Sequence, residues 1–305
     1  MSFRLFSLVR VSALCAAILA VGASLASGQT PAAKPCAGGG TYRFSAVSAI
    51  QGTPLTLEVT LPKGAANPSS EWNARAVPVW QVANKPGVYR GLLGIDLETE
   101  AGAYPWKLTA TSAAGAAITC EDKITVRSAK FPTERLTVDK QYVEPNPDQE
   151  KRAEEEGKKM RAIYDTVTPE KLWQGAFIVP LKGVSTGGNF GRKRVLNGKP
   201  RSPHTGIDFP AATGTPVFAA QSGKVALAEG FYYPGNTILI DHGLGVFTFY
   251  GHLSEIAVKP GQLVKVGELI GKVGATGRVT GPHLHWGVTI DKARVNGLAL
   301  TKLRP

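Results

Sequence analysis

The run Gly277-Arg278-Val279-Thr280-Gly281-Pro282-His283-Leu284-His285 decides how the second half of this chain is read. Turn-forming glycine and proline punctuate its first six residues, and the β-forming stretch His283–Ile290 follows. On a strand, side chains at i and i+2 share one face. His283 and His285 therefore project together, while Leu284 turns into the opposite, apolar layer. Two imidazoles on one face can bind one metal ion, or one can bind while its neighbour handles protons. Working outward, residues 175–305 are rich in glycine and β-formers and show little helical periodicity. The pattern predicts strands at Val184–Phe190, Pro216–Ala220, Gly223–Glu229, Asn236–Asp241, Gly245–His252, Leu263–Val266, Leu269–Val273 and His283–Ile290. Turn-formers such as Pro260-Gly261 and Gly274-Ala275-Thr276-Gly277 separate them, which predicts an antiparallel β domain without a long helix.

All five histidines of the chain fall in this region. His204-Thr205-Gly206-Ile207-Asp208 supplies a neutral nitrogen and an anionic oxygen, with a glycine between them that lets the chain turn. Two histidines and one aspartate make a three-ligand set whose fourth tetrahedral position is left for water, the pattern of a catalytic zinc site. A closed structural site would take a fourth protein ligand, often cysteine, and no cysteine follows Cys120. Spacing alone leaves open which of His283 and His285 is the ligand. There is no H-E-x-x-H, and of the acidic residues past position 175 only Asp208 belongs to a histidine motif. Proton transfer therefore falls to histidine. The candidates are His252, in Tyr250-Gly251-His252-Leu253, and one member of the H-x-H pair. His242, before a Gly-x-Gly turn, reads as structural.

The other segments have different chemistry. The chain has 305 residues, with 35 Lys+Arg against 23 Asp+Glu and a net charge of +12. An apolar fraction of 43% with 19% charged residues excludes a disordered or fibrous chain. Residues 1–28 carry Arg4 and Arg10, a short apolar core and small residues, the pattern of a cleaved secretory signal. An exported protein, periplasmic or extracellular, is expected, with no stable membrane insertion after cleavage. Removal of Cys15 leaves Cys36 and Cys120, which predicts one disulfide in an oxidising compartment. Residues 29–128 alternate as in Leu55-Thr56-Leu57-Glu58-Val59-Thr60-Leu61, and their six or so short strands predict an immunoglobulin-like β-sandwich. Residues 129–174 read as a charged, solvated helical linker. Its helix runs over Gln149–Tyr164, and Thr168-Pro169-Glu170 is a second predicted helix start. Residues 175–305 hold fifteen basic against six acidic side chains, so most of the net charge sits there.

With these residues in place, the stretch 175–292 resembles the lysostaphin/LytM-type zinc peptidases, a family of bacterial cell-wall endopeptidases. The resemblance rests on an ordered set of motifs: Phe190-Gly191-Arg192, Pro203-His204-Thr205-Gly206-Ile207-Asp208, Gly214-Thr215-Pro216-Val217, Gly223-Lys224-Val225, Gly235-Asn236-Thr237-Ile238, Asp241-His242-Gly243, Tyr250-Gly251-His252-Leu253 and Gly277–His285. It implies that His204, Asp208 and His285 bind one Zn2+ per chain, and that His283 and His252 act on the attacking water or stabilise the oxyanion. It also implies a peptidoglycan substrate, cut in its stem peptide or cross-link. Some relatives have lost ligands and act as non-catalytic activators of other wall hydrolases; here every motif residue is present. The hairpin Val258–Gly274 is similar to those of biotinyl and lipoyl domains but has no Met beside a turn lysine. The basic stretch Arg192-Lys193-Arg194…Lys199-Pro200-Arg201 accompanies no nucleic-acid motif, so it is read as a loop bordering the groove.

Overall fold

The computed structural model describes residues 31–305; the predicted signal segment lies outside the described residues. The chain is mostly β. Two five-stranded sheets come first. One orders Lys34–Pro35, Thr41–Phe44, Pro54–Thr60, Val88–Gly94 and Val79–Gln81, and the other Ser48–Ile50, Ala117–Arg127, Gly102–Thr111, Ala66–Trp72 and Arg75–Ala76. Alternate residues of both sheets, including Leu55, Leu57, Val59, Trp72, Trp106 and Ile118, form one buried cluster between them. Cys36 and Cys120 lie in this cluster and form a disulfide across 84 positions of sequence. Closing a loop of that size stabilises by about 4–5 kcal/mol in the chain-entropy account.

The Ala66–Trp72 strand escaped the sequence reading because its inward positions are Ser70 and Trp72 rather than an apolar run. Its polar inward group is satisfied, since the Trp106 indole N–H donates to Ser70 Oγ at 2.9 Å.

The second half carries a 9-stranded sheet. Its main path runs Gly206–Pro210, His283–Ile290, Val246–Ile256, Gly235–Asp241, Gly223–Phe231 and Leu263–Val264, all antiparallel. Val184–Phe190, expected as a strand, is irregular. Its glycines Gly187 and Gly188 break the alternation, and the segment lines the edge of the sheet instead: the Gly187 N–H donates to the Asp208 carbonyl at 2.7 Å.

The 129–174 segment is docked rather than free in solvent. Thr133–Leu136 pairs in parallel with Lys193–Leu196, which with Lys199–Arg201 makes a three-stranded sheet from the basic stretch. The Pro147–Tyr164 helix starts at Asn146 with a capping box closed by Gln149. Its Met160, Ile163 and Tyr164 pack on Leu227, Phe231, Leu239 and Phe247. Thr168-Pro169-Glu170 begins no helix. The Thr168 hydroxyl donates to the Asp241 carboxylate, and its carbonyl accepts from the Leu244 N–H, so the chain is committed to the sheet.

The two halves share apolar surface. Trp80 meets Trp173 edge-on at 5.5 Å, and Leu92 and Leu97 join the core of the large sheet. Arg294 binds both carboxylate oxygens of Asp96, at 2.7 and 2.9 Å. Gly94 lies where a Cβ would come 2.8 Å from the Ile290 carbonyl, so this approach admits only glycine.

His242 belongs to this framework. Its Nδ1–H donates to the Ser222 carbonyl at 2.8 Å, and its Nε2 accepts from the Thr248 hydroxyl at 2.7 Å. Burial pushes its pKa down from 6.5 to about 4. Above pH 6.5 the ring is neutral in folded and unfolded chains alike. As pH falls from about 6.5 to about 4, the unfolded chain takes up a proton that the folded one refuses, and stability is lost by roughly 3 kcal/mol over that window. In urea titrations at pH 7 and pH 4.5, His242→Gln is expected to lose this part of the acid sensitivity. Equal pH dependence in the two proteins would remove His242 as its source.

Candidate active site

Strand register builds the site. In the pairing of Gly206–Pro210 with His283–Ile290, Asp208 stands directly opposite His285. On the other side of the same strand, Gly251 stands opposite His285, which brings His252 to the neighbouring position. His204 precedes the edge strand and is tied to the 189–192 turn. Its N–H donates to the Arg192 carbonyl at 2.9 Å, and its carbonyl accepts from the Gly191 N–H at 2.8 Å. Three adjacent strands and one turn thus converge on one point.

His204, Asp208 and His285 meet there with their donor atoms facing one another. His204 Nε2 lies 2.9 Å from His285 Nδ1 and 3.1 Å from Asp208 Oδ1, and His285 Nδ1 lies 2.8 Å from that same oxygen. The His204 Nδ1–H donates to the Asn189 carbonyl at 3.0 Å, which aims Nε2 at the centre.

This triangle fits a zinc ion. A tetrahedral ion with bonds of 2.0–2.1 Å spaces its ligand atoms about 3.3 Å apart, a few tenths wider than observed here. Two imidazole nitrogens and a carboxylate oxygen are a donor set suited to that metal. The cradle is cut to size at Gly206: a Cβ there would lie 2.6 Å from His285 Nε2 and 2.7 Å from the Trp286 carbonyl. Burial acts to raise the Asp208 carboxyl, but hydrogen bonds and charge from His204 and His285 outweigh it and hold Asp208 far below the usual carboxylate range. Burial pushes His285 down against the opposing pull of Asp208.

His283 and His252 border this set. The His283 Nδ1–H donates to the Gly281 carbonyl at 2.8 Å, and its Nε2 faces the triangle, 3.7 Å from Asp208 Oδ1. The His252 Nδ1–H likewise donates to the Thr276 carbonyl at 2.8 Å, and its ring centroid is 4.7 Å from that of His283. Burial, helped by His285 and His283, pushes the His252 pKa down to about 3. This ring is therefore neutral and can accept a hydrogen bond at Nε2. His252 also holds a left-handed backbone, φ 64°, secured by its N–H to the Pro234 carbonyl at 2.7 Å.

Asn189 is a site residue that sequence reasoning missed. Its Nδ2–H donates to Asp208 Oδ2 at 2.7 Å, and its Oδ1 accepts from the Asp208 backbone N–H at 3.0 Å. With its carbonyl on His204, one residue orients two members of the triangle. Its place directly before the Phe190-Gly191-Arg192 turn was the one available signal.

The triangle opens into a cleft of about 780 Å³. His252 and His283 line it from the large sheet, Tyr233, Arg278 and Thr280 from the turns between its strands, and Leu136, Val138, Val143 and Tyr164 from the docked 129–174 segment. The lining residues all lie at or beyond Leu136, so the two amino-terminal sheets leave the cleft uncovered.

Comparison with known proteins places this geometry. Residues 202–297 match the model of Peptidase family M23. A Pseudomonas aeruginosa protein whose crystal structure is assigned to peptidase M23 is 30% identical over 84% of this chain and 96% of its own, with a TM-score of 0.63. Peptidoglycan DD-endopeptidase ShyB of Vibrio cholerae is 42% identical over 115 residues, covering 38% of this chain and 27% of that protein. DD-carboxypeptidase/endopeptidase Mpg of Neisseria meningitidis is 48% identical over 96 residues, or 31% of this chain and 20% of that one. The chain therefore matches only about a quarter of the length of these curated relatives.

Proposed function

This chain belongs to peptidase family M23 and is a metallopeptidase; from that premise we propose that it is an exported zinc endopeptidase cutting peptide bonds of peptidoglycan, in the stem or a cross-link. The observation that carries this reading is the convergence of three donor atoms, 2.8–3.1 Å apart, at the mouth of a cleft bordered by two backbone-anchored histidines. His204, Asp208 and His285 would hold the ion. Zinc bound there would supply Lewis acidity toward the scissile carbonyl and lower the pKa of water toward about 7.

The remaining chemistry belongs to side chains. His283, with Nδ1–H committed to Gly281, receives at Nε2 the proton of the attacking water. Once cationic, it stabilises the oxyanion and can return the proton to the leaving amine. His252, kept neutral by burial, accepts a hydrogen bond beside it and orients the reactants. Residues 29–128 form a β-sandwich module, 129–174 link it, and 175–305 carry the catalysis. Export is supported by the signal pattern of residues 1–28 and by the Cys36–Cys120 disulfide. Among the described residues no helix is long and apolar enough to cross a membrane.

Peptidoglycan as substrate is supported by the names of the curated relatives and by the excess of basic residues in 175–305. Mass spectrometry of fragments released from purified sacculi tests the reading. Soluble fragments with new free amino termini are expected, lost on chelation and restored by added zinc. A zinc-loaded protein that releases nothing would instead be a non-catalytic wall-binding regulator.

A further inference from the structure

The basic stretch 192–201 divides in the fold. Arg192 pairs with Glu134 at 3.1 Å and Lys199 with Glu144 at 2.7 Å, so the docked 129–174 segment neutralises two of its cations. Arg194 and Arg201 line the cleft instead, where Arg278 joins them from the loop before His283. Among the described residues, neither Arg201 nor Arg278 forms an ion pair. The nearest carboxylate oxygen to Arg194 is Asp208 Oδ2, at 3.9 Å, and Asp208 already belongs to the ligand triangle. Glu150, the other acidic residue of the lining, pairs with none of the three.

Each guanidinium is held in place and left incompletely satisfied. Arg194 Nε is buried without a hydrogen-bond partner. Arg201 donates to the Val143 carbonyl at 2.8 Å and more weakly to its neighbour Pro200. Arg278 stacks over Tyr233 with 4.7 Å to the ring centroid, and its backbone N–H donates to the Tyr233 carbonyl at 2.7 Å. The loop that carries Arg278 is fixed where it orients His252: the Thr276 carbonyl accepts from His252, and Thr276 Oγ1 accepts from the Asn236 N–H at 2.9 Å. Burial and the like charges of Arg194 and Arg201 push Arg278 below its ordinary value. Partly buried like charges without a counter-ion are costly. A guanidinium fork matches the geometry of a carboxylate.

We infer that Arg194, Arg201 and Arg278 form a subsite for a free carboxylate on the bound peptide, next to the bond that is cut. The 3.9 Å separation of Arg194 from the ligand Asp208 sets the distance. An extended residue spans about 3.3–3.6 Å, so the carboxylate belongs within about one or two residues of the scissile bond. A main-chain peptide bond has a free carboxylate there only from an acidic side chain or a chain end, and a glycine bridge has none. A cross-link made on the distal amine of a diamino dicarboxylic acid leaves the carboxylate on that same carbon free beside the bond. The three arginines thus select this class of cross-link over its amidated counterpart. The assignment rests on the peptidase reading for the presence of a peptide in the cleft.

The test uses the full zinc-loaded chain and one pair of probes. Each is a dipeptide in which D-alanine acylates the distal amine of a diamino dicarboxylic acid, with the carboxylate on that amine-bearing carbon either free or converted to the carboxamide. Reduced-amide versions of both, which cannot be hydrolysed, are titrated calorimetrically, and the cleavable pair is compared in kcat/KM. The free carboxylate is expected to bind at least about tenfold more tightly and to be cleaved correspondingly faster. Arg194→Gln and Arg278→Gln should each reduce that preference to threefold or less, whereas Arg192→Gln, paired away from the cleft, should preserve it. Equal binding of the two forms by the unmodified protein overturns the subsite without any variant having to fold. A preference that survives in the Arg194→Gln/Arg278→Gln double variant also overturns it. Tight carboxylate-selective binding without cleavage would leave the subsite standing and remove the peptidase reading; cleavage of both forms at equal rates would do the reverse.

Discussion

Alanine at position 285 is expected to abolish zinc binding and hydrolysis together, whereas His283→Ala retains zinc and loses turnover by about 10²–10⁴-fold. The two histidines are separated by one residue and share a face of one strand, yet their nitrogens have different surroundings. His285 Nδ1 lies within 2.9 Å of two other donor atoms, Asp208 Oδ1 and His204 Nε2. His283 Nε2 stands 3.7 Å from the same carboxylate oxygen, one shell further out. Removing the first breaks the triangle. Removing the second takes away a proton acceptor and leaves the triangle whole. Zinc content by atomic absorption, read beside digestion of purified wall, separates the two. Zinc lost in His283→Ala and kept in His285→Ala would reverse the roles.

Asn189→Leu is expected to weaken zinc binding by about 10–100-fold, the usual cost of losing a group that orients metal ligands. The substitution keeps the volume but removes both hydrogen bonds to Asp208, at 2.7 and 3.0 Å. It also leaves the Asp208 N–H without its partner, beside a carboxylate free to rotate. The Asn189 carbonyl, which fixes the His204 tautomer, is backbone and survives, so the loss is partial rather than total. Competition with a chromogenic chelator measures the affinity, and circular dichroism reports whether the fold is retained. Unchanged affinity in a folded variant would show that the side-chain clamp does not matter.

What was legible in the sequence is local. Leu269–Val273 and His283–Ile290 occupy the residues their patterns indicated, because alternation of period two follows directly from strand geometry. The helix ending at Tyr164 was legible through its charge pairs, of which Glu154–Lys158 forms at 2.8 Å. Lys159, one helical turn after Glu155, reaches instead to Glu229 on the sheet at 2.5 Å. The helix is docked, and a sheet partner replaced a helical one.

The short strands Lys193–Leu196, Lys199–Arg201 and Gly206–Pro210 were not legible. They are rich in charge, glycine and proline; Lys193–Leu196 and Gly206–Pro210 are strands because distant segments offer them hydrogen bonds, and Lys199–Arg201 follows as the hairpin partner of the first. The Leu136–Val143 wall of the cleft and the grouping of Arg278 with Arg194 have the same origin. By itself the sequence determined the β class of both halves, the one available disulfide pair and the shared face of His283 and His285, since each follows from residue type and the backbone period. The tertiary structure alone decided that Asp208 faces His285, that Asn189 orients two of the three residues of the triangle, and that three arginines share one cleft. Those outcomes depend on which strands pair and in what register, and register is set by packing between residues far apart in the chain.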